Sequence, residues 1–568
     1  MPINYPTFLK EVDQLTSRFS TDTLKLFIHD IARTTPENNR QQFLAKLNDY
    51  CKSAKEAYID EKEEEITLDN QINTIYNVLD EIQTGKRELK SEYNLEWDGW
   101  YDDDIYEYNF SDPNDILDAV STAIELLHKC LDHEQYEKGA QLALILSFLK
   151  VQVSGDYRDG TLGIKDLIWF KLLNIDLDKV AKEALYLAYI GNKKQDRAET
   201  MLAIMDNFNF YSFSIEEILK NGSNKIKNNN LKSFLPFWIE ALAKRPEIKT
   251  DKLLEEAQNL QQNPKAVLDN ASRYAESHPI LYRNILAKGN TVPKEMLLIG
   301  LRALKEVPIN YRMRSSIANL TAKYALEMQK QETAEYCWLE AFRSSPTVAN
   351  YFQIRLQSQN WEDYSNKVRD IYSSYYDSKD SCYKKEQIAL MFFEERFDEI
   401  INKFMNAGDG IGWSFTFMKE GIALMLLLLN SGKTSFPGLS EMIKIAIDGC
   451  SFKVDSYSEK ESLNSKPSVS AKFSEYFKSW KAQIVLPKNI DELWLEKIKQ
   501  WLTLRISAIM SNNRRNSYEE CAAFVAAYGE VLESRGESGE KTRIMQQYKM
   551  NYSKRHAFHK ALRKFGMN

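Results

Sequence analysis

The chain has 568 residues, more than one compact core usually holds, so several domains or an extended array is expected. Its 21 glycines and 14 prolines are well below the average usage of roughly 7% and 5%, so helix-breaking residues are scarce, as a helix array requires. A formal charge of −6 argues against a surface that tracks nucleic acid throughout, and six singly placed cysteines without CxC or CxxC argue against a secreted disulfide framework, pointing to a reduced cytoplasm.

In chain order, Phe8, Val12 and Leu15 form one apolar stripe, and Leu24, Phe27, Ile28 and Ile31 form another before a break at Pro36. The start of the sequence shows no basic leader with an apolar core, so no export signal is expected. Ile66, Ile72, Ile75, Leu79 and Ile82 mark a longer helix ending near Gly85, which closes an N-terminal helical segment over residues 1–90. Residues 91–118 differ: ten carboxylates, no Lys or Arg, and seven aromatics that include Trp97, Trp100 and Tyr101. Two readings fit this acidic aromatic loop, a recognition element for a basic surface and a solvated connection whose aromatics pack back on neighbouring helices.

Helical patterning resumes near Pro113 and defines a hairpin array over 119–430. Within it a phrase recurs, an aromatic followed by charges at a helix start: Tyr136-Glu137-Lys138, Trp361-Glu362-Asp363 and Phe397-Asp398-Glu399. The last two lie 36 residues apart, near the period of helical-hairpin repeats. Pro236 is expected to begin a helix, and Pro279, Pro293 and Pro346 to separate others. The hairpin at the centre runs from Tyr311 to Pro346: Ile317, Leu320, Tyr324 and Met328 line one helix, and Ala334, Trp338 and Ala341 line the next. Each helix has a face that two short helices cannot bury alone, so stacked neighbours are expected. The apolar run from Ile422 to Leu429 is far short of the roughly 20 residues of a membrane span and reads as a buried helix. Residues 431–487 are expected to form an irregular hinge. Residues 488–568 then supply three helices, with Ser517 and Glu520 at capping-box spacing and a single basic last helix from about Glu540 to Phe565.

On Ala334, Trp338, Ala341 and Pro346 the second helix of the central hairpin resembles the second half of a tetratricopeptide repeat. Ala318, Thr321 and Ala322 depart from the bulky and glycine positions of the first half. The resemblance implies an all-α solenoid of helical hairpins, a tetratricopeptide-like superhelix that binds peptides or protein partners without catalysis. The C-terminal part, with its Ala-rich helix, Gly536, Gly539 and Tyr552, Arg555-His556-Ala557-Phe558 and Leu562-Arg563, resembles the helical region of bacterial SWIM zinc-finger proteins. The zinc knuckle is absent from the sequence, so a role tied to its metal is not implied.

Several groups of residues could carry chemistry. Cys130 and His133 share a helix face while His128 points elsewhere, and His556 and His559 stand among cations, so no metal site is expected. Arg273 and His278 have the R-x4-H spacing that resembles HEPN ribonucleases, which implies an RNA-cleaving enzyme as the alternative function; a helix-end histidine is the competing reading. Gly408, Gly410 and Gly412 suit an interhelical turn, with no preceding strand to make a phosphate loop. From Lys541 onward the chain carries eight cations and no carboxylate side chain. Lys549, Lys554, Arg555, Lys560, Arg563 and Lys564, together with Trp97, Trp100 and Tyr101, are the candidate partner-binding residues. The expected function is a cytoplasmic protein–protein interaction scaffold without cofactor, metal or membrane; nucleic-acid binding by the basic end is the further alternative.

Overall fold

The computed structural model describes residues 11–567 apart from 13, 17–18, 37–38, 95–106, 211, 221–228, 246–247, 262, 290–291, 360, 378–383, 406–407, 409, 453–467 and 488. Trp97, Trp100, Tyr101 and Phe8 lie outside the described residues. Two units divide the chain, Met1–Leu242 and Ala243–Asn568.

The first unit holds helices α1 (Thr21–Thr34) and α2 (Arg40–Gln83), strands β1 (Glu88–Tyr93) and β2 (Tyr108–Ser111), and helices α3 (Ile116–Asp132) and α4 (Tyr136–Phe148). Strands β3 (Val151–Gly155) and β4 (Thr161–Leu162) follow, then α5 (Ile164–Trp169), α6 (Leu177–Gly191), α7 (Arg197–Phe208), α8 (Ile215–Lys220) and α9 (Asn229–Ala243). Helices dominate, and α2, α3, α4, α6 and α7 pack in succession. The small sheet, ordered β2-β1-β3-β4, was not expected. Its strands β1 and β2 cut into residues 91–118, which are therefore strand at 91–93 and 108–111 and helix from Ile116 rather than one loop. Leu89 buries beside Val153 in the parallel β1–β3 pair, and Ser91 sits opposite Phe110 in the antiparallel β1–β2 pair. The buried Ser91 hydroxyl donates to Ser154 O at 3.0 Å and accepts from Tyr157 N at 2.9 Å, leaving no polar atom stranded there. In α1 the stripe of Leu24, Phe27 and Ile31 stays exposed, with Phe27 meeting only the ring of Phe19 edge to face among the described rings.

The second unit begins with α10 (Ile248–Leu260), α11 (Pro264–Arg273), α12 (Ile280–Lys288), α13 (Pro293–Glu306), α14 (Met313–Glu327) and α15 (Gln331–Ser344). It continues through α16 (Val348–Gln357), α17 (Trp361–Asp377), α18 (Lys384–Phe393) and α19 (Phe397–Lys403). Helices here pack on the next and the next but one, α10 on α12, α12 on α14 and α15 on α17, which is the contact pattern of stacked hairpins. The recurring phrase marks real starts: Tyr136, Trp361 and Phe397 are each the first residue of their helix. Pro293 opens α13 and Pro279 caps α12, as expected. Pro236 instead lies inside α9, which begins seven residues earlier at Asn229.

The rest of the unit comprises α20 (Met418–Leu429), α21 (Pro437–Gly449), α22 (Val469–Lys481), α23 (Ile490–Ser511), α24 (Tyr518–Ser534), α25 (Glu540–Asn551) and α26 (His556–Lys564). The apolar run of α20 is buried throughout, and among the described residues no helix is long and apolar enough to cross a membrane. Two helices, α21 and α22, occupy much of the expected hinge. Pro437 opens the first, and the Ser468 hydroxyl accepts from Ala471 N at 3.1 Å to cap the second, so residues that read as loop composition are helix starts. The C-terminal part has four helices, not three. Helix α24 is its hub, buried from Cys521 to Leu532 and packed against α20, α21, α23, α25 and α26. Ser517 makes no capping hydrogen bond to it; Glu520 is turned instead to Arg505 and Lys419.

Candidate functional site

The basic end is two helices joined by a turn. Phe558, Leu562 and Phe565 of α26 are buried, the stripe expected from their spacing, and Phe558 meets the rings of Tyr518 at 5.8 Å and Tyr552 at 6.3 Å. A single helix from Glu540 to Phe565 is not formed, because the chain breaks after Asn551 and Arg555 is drawn onto the end of α23. Its guanidinium donates to Met510 O at 2.7 Å and to the Asn513 side chain. That clamp sets Lys554 beside the turn that carries Arg514 and Arg515, two exposed cations absent from the sequence-based candidates. The signal available was the dipeptide itself, in a polar turn between two apolar helices.

The eight cations have different fates. Lys541 is consumed by Glu530, which is 1% exposed and accepts its ammonium at 2.7 Å. Glu530 also accepts from Gly438 N at 3.1 Å and Leu439 N at 2.8 Å, so it caps α21 from another helix. Only glycine fits at 438, since a Cβ there would lie 2.3 Å from Ala527 N. Arg543 holds Glu540 at 2.6 Å and keeps that carboxyl below its ordinary range, and Lys564 meets Glu519 at 2.8 Å. Among the described residues Lys549, Lys554, Lys560 and Arg563 have no ion-pair partner. His556, Lys560, Arg563 and Lys564 occupy the exposed side of α26 at spacings of three and four. His559 is buried, its ring edge to face with that of His556 at 5.8 Å and its Nε2 3.0 Å from Tyr552 O.

The remaining candidates are kept apart or enclosed. Arg273 ends α11 and is exposed, whereas His278 is 1% exposed in the following turn with Nδ1 3.0 Å from Asp251 Oδ1. The structure does not bring an arginine and a histidine to a common open face there. His128 contacts Glu183, Cys130 is fully buried and His133 caps α3; among the described residues no three potential ligands cluster for a metal. Burial pushes the Cys130 thiol up to about 11 and those of Cys337 and Cys521 up to about 12, away from the range of a reactive thiolate. Gly410 belongs to a connection docked on α23, where Arg505 donates to Gly410 O at 3.0 Å and Ile411 O at 2.6 Å. A cleft of about 420 Å³ opens between α2 and α3, with Gln71, Thr74, Glu125 and Lys129 on its walls.

No family model matches this chain, and no curated protein matches it. A solved structure described as a circular tandem repeat protein with novel repeat topology and enhanced subunit contact surfaces aligns over 95% of this chain and 93% of its own, at 10% identity and a TM-score of 0.14. A superposition of that quality carries neither fold nor function to this chain.

Proposed function

We propose that the chain is a non-catalytic protein–protein interaction scaffold working in the cytoplasm. The observation that supports it is how the hairpin array of the second unit uses its polar residues. Arg314, Glu340 and Ser344 bond to one another, and Asn350 donates to Ser315 Oγ at 2.9 Å and Ser345 O at 2.7 Å, all within the packed helices. Groups of the kind that do acid–base or nucleophilic work are thereby engaged in holding helix to helix, and the array is left with its outer surface as the working part. Successive helices leave large apolar side chains in water, Leu298 on α13, Leu326 on α14 and Tyr336 on α15, a pattern that suits recognition. The half-match of α15 to a tetratricopeptide repeat, with Ala334, Trp338 and Ala341 all buried, points the same way. The SWIM-like end adds no zinc ligands to that reading.

The test is affinity capture on the full-length protein followed by crosslinking. A partner whose crosslinks fall on α13 to α15 supports the scaffold. An RNA-cleaving activity lost in Arg273→Ala/His278→Ala, with no captured partner, overturns it.

A further inference from the structure

We infer that the exposed basic face formed by α26, the turn before it and the Arg514–Arg515 turn docks an acidic protein segment that also carries apolar side chains. The inference rests on the scaffold reading and names the chemistry of one partner.

The face is built rather than diffuse. Arg555 ties residues 552–555 to Met510 and Asn513, so Lys554, Arg514 and Arg515 flank one clamp. Phe558 against Tyr518 and Lys564 against Glu519 fix α26 on the start of α24, immediately after that turn. The cations on this surface without an ion-pair partner among the described residues are Arg514, Arg515, Lys554, Lys560 and Arg563. Along α26 the cations from Lys560 to Lys564 span roughly 6 Å at a rise of about 1.5 Å per residue. Such a row attracts an anionic partner and is screened by salt.

Two features choose carboxylates over phosphates. A single nucleic-acid strand needs aromatic platforms beside the cations. Tyr548 instead sets its hydroxyl 3.3 Å from Thr503 Oγ1, and Tyr552 packs its ring on Phe558, so both face the protein. Met550, in the last turn of α25 just ahead of the turn that carries Lys554, is 71% exposed. A phosphate backbone has no use for an exposed thioether, whereas an acidic amphipathic segment does, and methionine adapts to such partners.

The experiment uses the full chain and two fluorescent probes, a peptide of alternating glutamate and leucine blocks and a DNA duplex, titrated near 0.15 M salt, roughly physiological strength. Peptide binding is expected to fall about tenfold or more in Lys554→Glu/Lys560→Glu/Arg563→Glu, as for reversal of a complementary charge set. Met550→Ser is expected to weaken it several-fold, and Lys305→Glu on α13 to leave it unchanged. Circular dichroism melts confirm that each variant folds. Tight duplex binding with a steep salt slope, indifferent to Met550→Ser, assigns the face to phosphate and overturns the inference, as does peptide binding that ignores the triple reversal. Failure here with partner capture intact on α13 to α15 removes only this docking site; loss of all capture removes the scaffold reading itself.

Discussion

The central hairpin and the terminal helices use the same side chains to opposite ends. In α14 and α15 the cation is buried: Arg314, 3% exposed, donates to Glu340 at 2.5 Å, to Ser344 Oγ at 2.9 Å and to Leu304 O at 2.8 Å. Arg343 reaches the other Glu340 oxygen at 2.7 Å from the solvent side. In α26, Lys560 and Arg563 face water with no carboxylate engaged. A charge placed inside needs partners to offset its desolvation, and Arg314 finds them on both terminal nitrogens though not on Nε, while a charge left outside is free to meet a partner. Burial, not residue type, separates the cation that holds helices together from those that remain open to solvent.

The sharpest way to break that contrast is to unpair the buried site. Glu340→Ala strands the Arg314 guanidinium and is expected to cost about 3–5 kcal/mol, read from urea unfolding followed by circular dichroism. The double change Arg314→Met/Glu340→Leu is expected to recover most of the loss, since a packed apolar pair replaces a buried ionic one at little cost. A double variant as unstable as Glu340→Ala would show that the pair does more than neutralise itself.

Next in size is the shared carboxylate of α24. Glu530→Ala removes the Lys541 partner and uncaps Gly438 and Leu439 together, for an expected loss of about 2–4 kcal/mol. Gly438→Ala attacks the same junction by volume, at about 1–3 kcal/mol, because its added methyl meets the Ala527 backbone. Guanidinium melts of the two variants should both shift; an unmoved Gly438→Ala would mean that α21 can slide on α24.

How much of this was legible follows the range of the interactions. The aromatic-plus-charge phrase found three helix starts because a helix boundary is a local event, and the stripe of α26 was readable from spacing alone. The sheet was not, because β1 is held by β3 across two intervening helices, and Leu89, Val151 and Val153 alternate over too few residues to stand out. Residues 431–487 misled by composition: Ser468 and Pro437 suit turns and helix starts alike. At the basic end the charges were visible, but not their division. Nothing in the run of cations shows that Lys541 belongs to Glu530 or that Arg555 reaches back to Met510.

Between the buried and the open cation stands Lys481, and it sharpens the comparison through pH. Burial and the nearby charge of Arg535 bring its ammonium down to about 8, while it donates to Leu427 O at 3.0 Å. Between that value and its ordinary 10.5 the unfolded chain holds the extra proton, so this residue alone makes stability rise with pH. The buried thiols act the other way. Cys130, held up to about 11, and Cys337 and Cys521, held up to about 12, stay protonated in the fold while unfolded thiols ionise near 9.0. Their contribution is complete below pH 9 and is lost as pH climbs toward 11 and 12. Urea midpoints are therefore expected to decline above pH 9, and more steeply in Lys481→Met, which removes the opposing proton.

The smallest expected effect lies on the face that carries the proposal. Lys560→Glu and Arg563→Glu alter exposed side chains that no carboxylate engages, so stability should stay within about 0.5 kcal/mol of the parent. Lys564→Glu is the internal control on the same helix: it loses the 2.8 Å pair with Glu519 and sets two carboxylates side by side. Because both members of that pair are more than half exposed, the loss should still not exceed about 1 kcal/mol. The ordering matters more than either value. If Lys560→Glu melts below Lys564→Glu in matched thermal scans, Lys560 has a structural task within α26, and the distinction between consumed and available cations fails at this face. If the order holds, a stable protein with its surface charge reversed isolates recognition from folding.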